Sequence, residues 1–191
     1  MSDPSSNTES NEVEQIHAAA EDVAASGSGK SVLAFVEIPQ GSRNKYEYDE
    51  ERGIFKLDRV LYSSVHYPTD YGFIPDTLAP DGDHLDILVL VHQPTFPGCL
   101  IEARLLGGLD MADEKGHDFK VLAVPIGDPR FNEYQKLEDV HEYRLKEIET
   151  FFATYKLLEK KETEVLGWHS LVQAERVIEE CREAYRKSKH A

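Results

Sequence analysis

The chain has 191 residues, of which 40% are hydrophobic and 30% are charged, a composition that favours one soluble globular domain. Its formal net charge of −15 opposes nucleic-acid binding, because recognition of a phosphate backbone needs a basic surface. No apolar run reaches the roughly 18–20 residues that a membrane-spanning helix needs, so we expect no membrane partner either.

The sequence contains two cysteines, Cys99 and Cys181, which are far apart and not spaced as metal ligands. This usage fits a reducing compartment and no disulfide framework. The first residues are acidic and lack the basic-then-apolar layout of a secretion signal. We therefore expect a cytoplasmic protein.

Residues 1–30 are rich in Ser, Asn, Glu and Ala and are predicted to form a flexible tail, followed by one folded domain over residues 31–191. Residues 12–25 are a candidate for a short helix within the tail. The string AASGSGKS, residues 24–31, satisfies a relaxed P-loop pattern. A true P-loop follows a strand and opens a helix, whereas here polar sequence precedes and a strand follows. We interpret this string as a linker.

Several short apolar runs, separated by Gly, Pro and Asp, follow the tail. SVLAFVEIP, ending at Pro39, is predicted as a strand, and KYEYDEERGIFKLDRVL as a hairpin that turns at Glu51, Arg52 and Gly53. The runs YGFIPDTL, LDILVLVH, CLIEARLLGGLDM and FKVLAVPI are predicted as further strands. Strands at this short spacing are typical of a small barrel or a sandwich.

The last third of the sequence has helical periodicity. Asp139 with Glu142 resembles a capping box, and an apolar stripe follows it. The stripe consists of Ile148, Phe151, Phe152, Tyr155 and Leu158. A second helix is predicted from Ser170, capped with Gln173, and its apolar positions are Leu171, Ala174, Ile178, Cys181 and Tyr185. Strands followed by two packed helices indicate an α+β fold.

The segment DGDHLDILVL places three carboxylates, Asp81, Asp83 and Asp86, at the start of a strand that is apolar on both faces. Because desolvating a charged side chain is costly, carboxylates at the mouth of a buried strand need a partner or solvent. A turn at Gly82, or a bend before Asp86, would bring all three together. A polar turn that merely caps the strand is the simpler interpretation, and it stays open at this point.

If the loop binds a metal, its residue types favour magnesium or manganese. An EF-hand calcium loop fails, because Leu85 occupies its fifth position and His92 stands where a bidentate Glu belongs. Zinc is poorly supported, since the histidines show no paired helical spacing and His84 is expected to be exposed. Hard oxygen ligands without Cys or His are those that Mg²⁺ and Mn²⁺ prefer.

A second acidic segment, DMADEKGHDFK, lies between the next two predicted strands. It carries Asp113, Glu114 and Asp118, and Lys120 enters the following strand. Taken alone, such a segment is typical of a solvated hairpin tip. Two acidic loops at one end of a barrel would repel each other strongly unless cations neutralise them. Together the loops therefore predict a site for several divalent ions.

Basic and phenolic side chains accompany the acidic loops. Lys45 and Glu47 alternate in the predicted hairpin and so share a face, and Asp58 and Arg59 close its second strand. The others are Tyr67, Tyr71, Tyr155 and Lys156. Each tyrosine alone is typical of a core position and each cation of the surface. Together they offer charge-assisted donors for an anion with many oxygens.

In this order the motifs resemble the soluble inorganic pyrophosphatases of family I, which are metal-dependent enzymes with a barrel fold. The centre of the resemblance is DGDHLD, residues 81–86, which matches the family's DxDxxD loop. The motifs VEIP, KYE, DRVLYSS, YPxxYGFIP, DExGxDxK and FFxxYK are also present in the family's order. The resemblance covers nearly everything except the tail. It implies a small closed β-barrel, OB-like with a five-stranded core, and two C-terminal helices packed against it.

The resemblance implies a role for each acidic residue. Asp81, Asp86 and Asp118 are similar to the ligands of a first activating metal, with Asp86 also bridging to a second. Asp113 and Asp118 would hold a further metal that arrives with the substrate, and Asp83 is similar to the family's general base. The residues implied as supporting the site are Glu37, Glu47, Tyr67 and Glu114. One departure is His84, where the family usually has a proline that stiffens the turn.

The resemblance also implies the substrate contacts and the reaction. The residues implied to grip the two phosphates are Lys45, Arg59, Tyr71, Lys120, Tyr155 and Lys156. Arg59, Tyr155 and Lys156 would also absorb charge on the departing phosphate. The reaction is hydrolysis of pyrophosphate to two orthophosphates by water that attacks phosphorus in line, with several Mg²⁺ ions per site and Mn²⁺ or Zn²⁺ as substitutes. A divalent-metal-dependent hydrolase of nucleotides or other phosphoesters remains the alternative.

The expected partners are pyrophosphate and phosphate, with no nucleic acid and no membrane, and further copies of the same chain. Bacterial members of the family are typically hexamers and eukaryotic members dimers. The lack of a long C-terminal extension favours the hexamer.

Overall fold

The structure is a computed structural model that describes residues 31–114 and 116–190. The predicted tail, its candidate helix and nearly all of the P-loop-like string lie outside these residues. The described residues form eight strands and two α-helices, with three short 3₁₀-helices between them. The strands are β1 (Ser31–Ile38), β2 (Asn44–Asp49), β3 (Ile54–Val60), β4 (Asp70–Ile74), β5 (Leu85–Val89), β6 (Leu100–Asp113), β7 (Gly116–Pro125) and β8 (Thr163–Ser170). The helices are α1 (Glu142–Thr154) and α2 (Leu171–Lys189).

Five strands hydrogen-bond in a closed ring in the order β1, β4, β5, β7, β6 and back to β1. The predicted five-stranded barrel is therefore confirmed. Gly72 shows how tightly the β1–β4 seam is packed, because a Cβ atom built on it would lie 1.9 Å from the carbonyl oxygen of Phe35. Strands β2 and β3 form the predicted hairpin as a separate two-stranded sheet.

The predicted series of strands misses β8. This strand pairs with residues 107–113 of β6, beyond the segment of β6 that pairs with β1. Strand β8 thus extends the barrel wall along the edge that β1 leaves open. The chain therefore does not run from strands directly into two helices, because β8 separates α1 from α2.

Alternate side chains of β5 and of the two residues that follow it pack into two different apolar clusters. Leu88 and Leu90 contribute to one cluster, which also contains Ile148, Phe151 and Phe152 of α1 and is hereafter the α1 cluster. The other, the α2 cluster, consists of Ile87, Val89 and Val91 with further strand residues and with Ile178 and Cys181 of α2. Burying each large apolar side chain stabilises the fold by about 1.5–3 kcal/mol. As predicted, both faces of β5 are apolar, and Asp86 lies at its start.

The predicted start of α1 is wrong in detail. The N-cap is His141, whose Nδ1 accepts a hydrogen bond from the amide of Tyr143. The carboxylate of Asp139 instead accepts from the amides of Gln135 and Lys136, at 2.9 and 3.0 Å. The predicted apolar stripe also ends early, because Leu158 lies in a 3₁₀-helix after α1 and is exposed.

Helix α2 begins after Ser170, as predicted, but the predicted capping by Gln173 is not present, since the cap has no side-chain hydrogen bond. Ala174, Ile178 and Cys181 are buried along one face of the helix. Their spacing is that of an amphipathic helix packed on a core. In the described part of the chain, neither helix combines the length and the apolar character needed to cross a bilayer.

Candidate active site

A cleft of about 910 Å³ opens where the end of the barrel meets the β2–β3 hairpin and the segment after α1. With the single exception of Tyr67, every predicted site residue lines it. These residues are Glu37, Lys45, Glu47, Arg59, Tyr71, Asp81, Asp83, Asp86, Asp113, Glu114, Asp118, Lys120, Tyr155 and Lys156. Tyr67 is buried beneath the cleft, with its ring 5.5 Å from that of Tyr71.

The loop before β5 turns at Gly82, which has a φ of +94° and donates its amide proton to the carbonyl of Ala79. Glycine adopts this left-handed region without the steric cost that a side chain would add. The amide of Ala79 in turn donates to the carbonyl of Asp83 at 2.8 Å. Of the two local geometries considered from the sequence, the turn at Gly82 is present, and it directs Asp81 and Asp83 to the same cleft as Asp86.

Lys120 links the two acidic segments. Strands β5 and β7 run parallel with Asp86 opposite Lys120, and Asp118 precedes Lys120 by two residues on the same face. The ammonium group of Lys120 donates to Asp86 Oδ2 at 2.5 Å and to Asp118 Oδ1 at 2.8 Å. Tyr71 also donates its hydroxyl proton to Asp86 Oδ2, at 2.6 Å. Burial lowers the pKa of Lys120, but the charges of Asp86 and Asp118 outweigh it and hold this pKa above its ordinary value.

The carboxylates around Lys120 are crowded. Burial raises the pKa of Asp118, and the charges of Asp86 and Asp113 raise it further against the opposing effect of Lys120. Burial likewise raises the pKa of Glu37 to about 7, although its Oε1 accepts a hydrogen bond from the amide of Tyr48. One lysine therefore does not neutralise this group of acids.

A second ion-pair group lies where the β6–β7 hairpin meets the end of α1. Lys156, which is largely buried, donates to Asp113 Oδ2 at 2.7 Å and lies 3.6 Å from Glu114 Oε2. Lys161 approaches the other oxygen of Glu114 at 2.8 Å. Burial lowers the pKa of Lys156, but Tyr155 and Asp113 raise it by more. This ammonium group stays charged at the mouth of the cleft.

Arg59 is fixed by two carboxylates. Its Nη1 donates to Asp58 Oδ2 at 2.5 Å, and its Nε donates to Glu159 Oε1 at 2.8 Å. Lys45 pairs with Arg59 across the hairpin and contacts Glu47. The sequence prediction missed Glu159, which reaches Arg59 from a 3₁₀-helix one hundred residues further along the chain. No spacing rule connects the two positions.

His84 was expected to be exposed, and this expectation is wrong, since its side chain is only 17% exposed. The ring stacks on Phe73 with centroids 4.8 Å apart. Nδ1 lies 2.6 Å from the carbonyl oxygen of Thr77, and Nε2 lies 2.7 Å from Glu50 Oε1. Burial lowers the pKa of His84, but the hydrogen bond and charge of Glu50 raise it above its ordinary value.

The described residues that line the cleft include ten carboxylates against six Lys and Arg side chains, a formal excess of four negative charges. Hard carboxylate oxygens of this kind fit Mg²⁺ or Mn²⁺ better than zinc. Among residues 31–114 and 116–190, no three His, Cys, Asp or Glu side chains form a preassembled metal-binding group. Lysines pair with Asp86, Asp113 and Asp118 instead. The acidic excess and the raised pKa of Asp118 nonetheless favour further cations at this cleft.

Comparison with known proteins identifies the relatives of this fold and cleft. The sequence profile described as Inorganic pyrophosphatase matches residues 34–186. The inorganic pyrophosphatase of Geobacillus stearothermophilus is 52% identical over 160 residues, which are 84% of this chain and 97% of that protein. That of Methanosarcina mazei is 54% identical over 154 residues, 81% of this chain and 91% of that protein. The crystal structure of the Thermus thermophilus inorganic pyrophosphatase superposes with a TM-score of 0.81 at 45% identity, covering 84% of this chain and 94% of that one.

Proposed function

Because this chain belongs to the inorganic pyrophosphatase family, we propose that it hydrolyses inorganic pyrophosphate to two orthophosphates with Mg²⁺ as its activating ion. The observation that carries the proposal is one cleft lined by both acidic loops, by Lys120 and Lys156, and by Arg59. Pyrophosphate is itself a concentrated anion, and a cleft with a formal excess of negative charge binds it only together with cations. The metal requirement and the substrate class therefore support each other.

We propose that Asp81, Asp86, Asp113 and Asp118 would hold the metal ions, with Asp86 contributing to two of them. The supporting observation is that Asp86 and Asp118 already share one cation, the ammonium group of Lys120. When bound, divalent cations neutralise phosphate oxygens and lower the pKa of water from 15.7 towards about 7. Mn²⁺ offers the same oxygen preference and is the proposed substitute, with Zn²⁺ less well matched.

We assign the general base to Asp83, which lies in the exposed part of the loop and lines the cleft. As water attacks phosphorus in line, a new P–O bond forms, the bridging P–O bond breaks, and Asp83 accepts the proton that the water loses. Arg59, Tyr155 and Lys156 stabilise the charge on the departing phosphate, and Lys45, Tyr71 and Lys120 hold the remaining oxygens. Glu37, Glu47, Tyr67 and Glu114 orient these groups.

Phosphate release with pyrophosphate, ATP and p-nitrophenyl phosphate as substrates tests the proposal. In Mg²⁺ we expect turnover of pyrophosphate alone, and no turnover after chelation of the metal. Asp86→Ala should abolish the activity. Asp110→Ala is the matched control, because Asp110 lies on β6 outside the cleft lining and contacts two histidines. This variant should retain the pyrophosphatase activity. Equal rates with ATP or the monoester would instead identify a broader phosphoester hydrolase.

The compartment and the assembly are further proposals. We propose the cytoplasm, which the two free cysteines support. We propose that the chain assembles with further copies of itself, as a homohexamer rather than a dimer. Exposed apolar side chains such as Tyr62, Phe96 and Val172 support an interface between chains, and the number of chains is left to the measurement. Light scattering after size-exclusion chromatography should give about 130 kDa for six chains of 21.7 kDa. A mass near twice that of one chain would refute the hexamer.

A further inference from the structure

The side chain of His84 connects three parts of the molecule. Its ring lies on Phe73 of β4 with an interplanar angle of 14°, and Tyr185 of α2 is 5.9 Å away on centroids. One ring nitrogen contacts the carbonyl of Thr77 at the base of the loop. The other contacts Glu50, in the turn between β2 and β3. One residue of the aspartate loop, defined here as residues 81–86, therefore reaches the separate two-stranded sheet that carries Lys45 and Arg59.

The aspartate loop also makes local hydrogen bonds. Gly82 and Ala79 bond within the turn, and the amide of Asp83 donates to Asp81 Oδ1 at 3.2 Å. At its end, Leu85 is anchored to the buried hydroxyl of Thr77. The side chains of Asp81 and Asp83 themselves lie on the exposed part of the loop. The contact of His84 with Glu50, hereafter the tie, therefore links the loop that carries the exposed carboxylates to the β2–β3 hairpin.

We propose that His84 is a positioning residue that fixes the aspartate loop relative to the β2–β3 hairpin. The consequence for catalysis rests on the proposed function, because the contact joins the loop that carries Asp81, Asp83 and Asp86 to the hairpin that carries Lys45 and Arg59. Catalytic groups must be held within about 0.5 Å of their working geometry, and a misplacement of 1 Å costs on the order of 100-fold in rate. A side chain that holds the aspartate loop against the hairpin controls that geometry by positioning the loop.

Amide hydrogen exchange of the metal-free protein tests the tie without any turnover. His84→Phe keeps a ring that stacks on Phe73 but removes both polar contacts. We expect exchange at Ala79, Gly82 and Asp83 to accelerate about tenfold, the scale of one lost charge-assisted hydrogen bond.

Glu50→Gln removes the charge at the far end of the tie and should accelerate the same amides about threefold, because Glu50 is 48% exposed and part of its interaction is screened. Glu51→Gln is the matched control. It makes the same change one residue away, at an exposed position of the same turn, and should leave these amides unchanged. If His84→Phe does not fold, the exchange rates of Glu50→Gln compared with those of Glu51→Gln still test the proposal.

A second readout separates positioning from general destabilisation. The concentration of Mg²⁺ for half-maximal binding, measured by titration calorimetry, should rise about tenfold in His84→Phe, with the melting transition still far above the assay temperature. His84→Pro restrains the same turn covalently and should recover most of the lost affinity. Unchanged exchange and unchanged Mg²⁺ binding in both His84→Phe and Glu50→Gln would overturn the proposal. Absence of pyrophosphate turnover in the unaltered protein would overturn the proposed function instead and leave the exchange result standing.

Discussion

Replacement of Lys120 by methionine gives the sharpest measure of the electrostatics in the cleft. Lys120 is 2% exposed, and its ammonium group lies between Asp86 and Asp118. Methionine retains much of the length and the apolar stem but removes the charge. In the variant, the partly buried carboxylates of Asp86 and Asp118 lose the ammonium group that both contact in the unaltered protein.

The magnitude follows from the burial of the three groups. Removing one partner of a buried ion pair destabilises a protein by about 3–5 kcal/mol. The carboxylates of Asp86 and Asp118 are 25% and 24% exposed, so water recovers part of the cost. We therefore expect about 3 kcal/mol in the absence of divalent ions, or roughly 6–12 °C in melting temperature for a chain of this size.

Thermal denaturation at fixed protein concentration, in EDTA and in Mg²⁺, is the assay. Lys161→Met is the matched control, because Lys161 also pairs with a carboxylate of the cleft but is 49% exposed, and exposed pairs contribute about 0–1 kcal/mol. If Asp86 and Asp118 bind metal, Mg²⁺ supplies the missing positive charge, and the loss in Lys120→Met should shrink markedly. An unchanged melting temperature in EDTA would refute the electrostatic role of Lys120. A loss that Mg²⁺ does not reduce would refute metal ligation by the two aspartates.

The same variant has a definite pH dependence. Burial and the charges of Asp86 and Asp113 raise the pKa of Asp118 in the folded state, and Lys120→Met removes the ammonium group that opposes them. The folded variant then binds more protons than the unfolded one, so its stability increases as the pH falls. The difference in melting temperature between the variant and the unaltered protein should therefore become smaller as the pH is lowered.

Three further predictions follow from the site and the core. Asp83→Asn should reduce kcat about 100-fold, which is the effect of losing a general base, and should leave the circular dichroism spectrum unchanged. Full activity of this variant at neutral pH would refute the assignment of Asp83 as the general base. Glu159→Gln should raise the KM for pyrophosphate about tenfold with a smaller effect on kcat, because Arg59 loses the buried carboxylate that fixes its Nε. Glu159→Asp keeps the charge and should recover part of the affinity for pyrophosphate. Burial raises the pKa of Cys181 to about 11, so in a Cys99→Ser variant the remaining thiol should react slowly with a disulfide reagent at neutral pH and faster as the pH rises. Rapid modification of that variant at pH 7 would contradict the packing of α2.

The order of motifs in the sequence predicts the closed barrel, which the structure has. It also predicts one common site for Asp81, Asp86, Asp113 and Asp118, and these four residues line the same cleft. The reason is that these acidic residues stand near strand ends and in the connections between strands, which strand pairing brings to one end of the barrel. The parallel register of β5 and β7, with Asp86 opposite Lys120, is a property of the whole ring, and no local pattern contains it.

What the sequence did not predict depends on partners that are distant along the chain. Strand β8 has an irregular pattern of burial and contains Gly167, which has a φ of +132°. Its residues therefore lack the clear two-residue alternation of a strand, and its extended structure depends on pairing with β6. Nothing in the sequence around Glu159 indicates a role at the site, because its partner Arg59, which lies 2.8 Å away in the fold, is distant along the chain. The N-cap of α1 differs from the prediction for a similar reason. The carboxylate of Asp139, which was expected to cap the helix, accepts hydrogen bonds from the amides of Gln135 and Lys136 instead.

The ion pairs in the cleft imply that cation and anion binding are coupled. The ammonium groups of Lys120 and Lys156 now donate to Asp86, Asp118 and Asp113, and these two lysines are also proposed to hold phosphate oxygens. An anion that enters alone must compete with these carboxylates for the same donors. A divalent cation that neutralises the carboxylates makes the lysines available to the anion, so each ligand raises the affinity for the other. Because such coupling is reciprocal, pyrophosphate must strengthen Mg²⁺ binding by the same factor by which Mg²⁺ strengthens pyrophosphate binding.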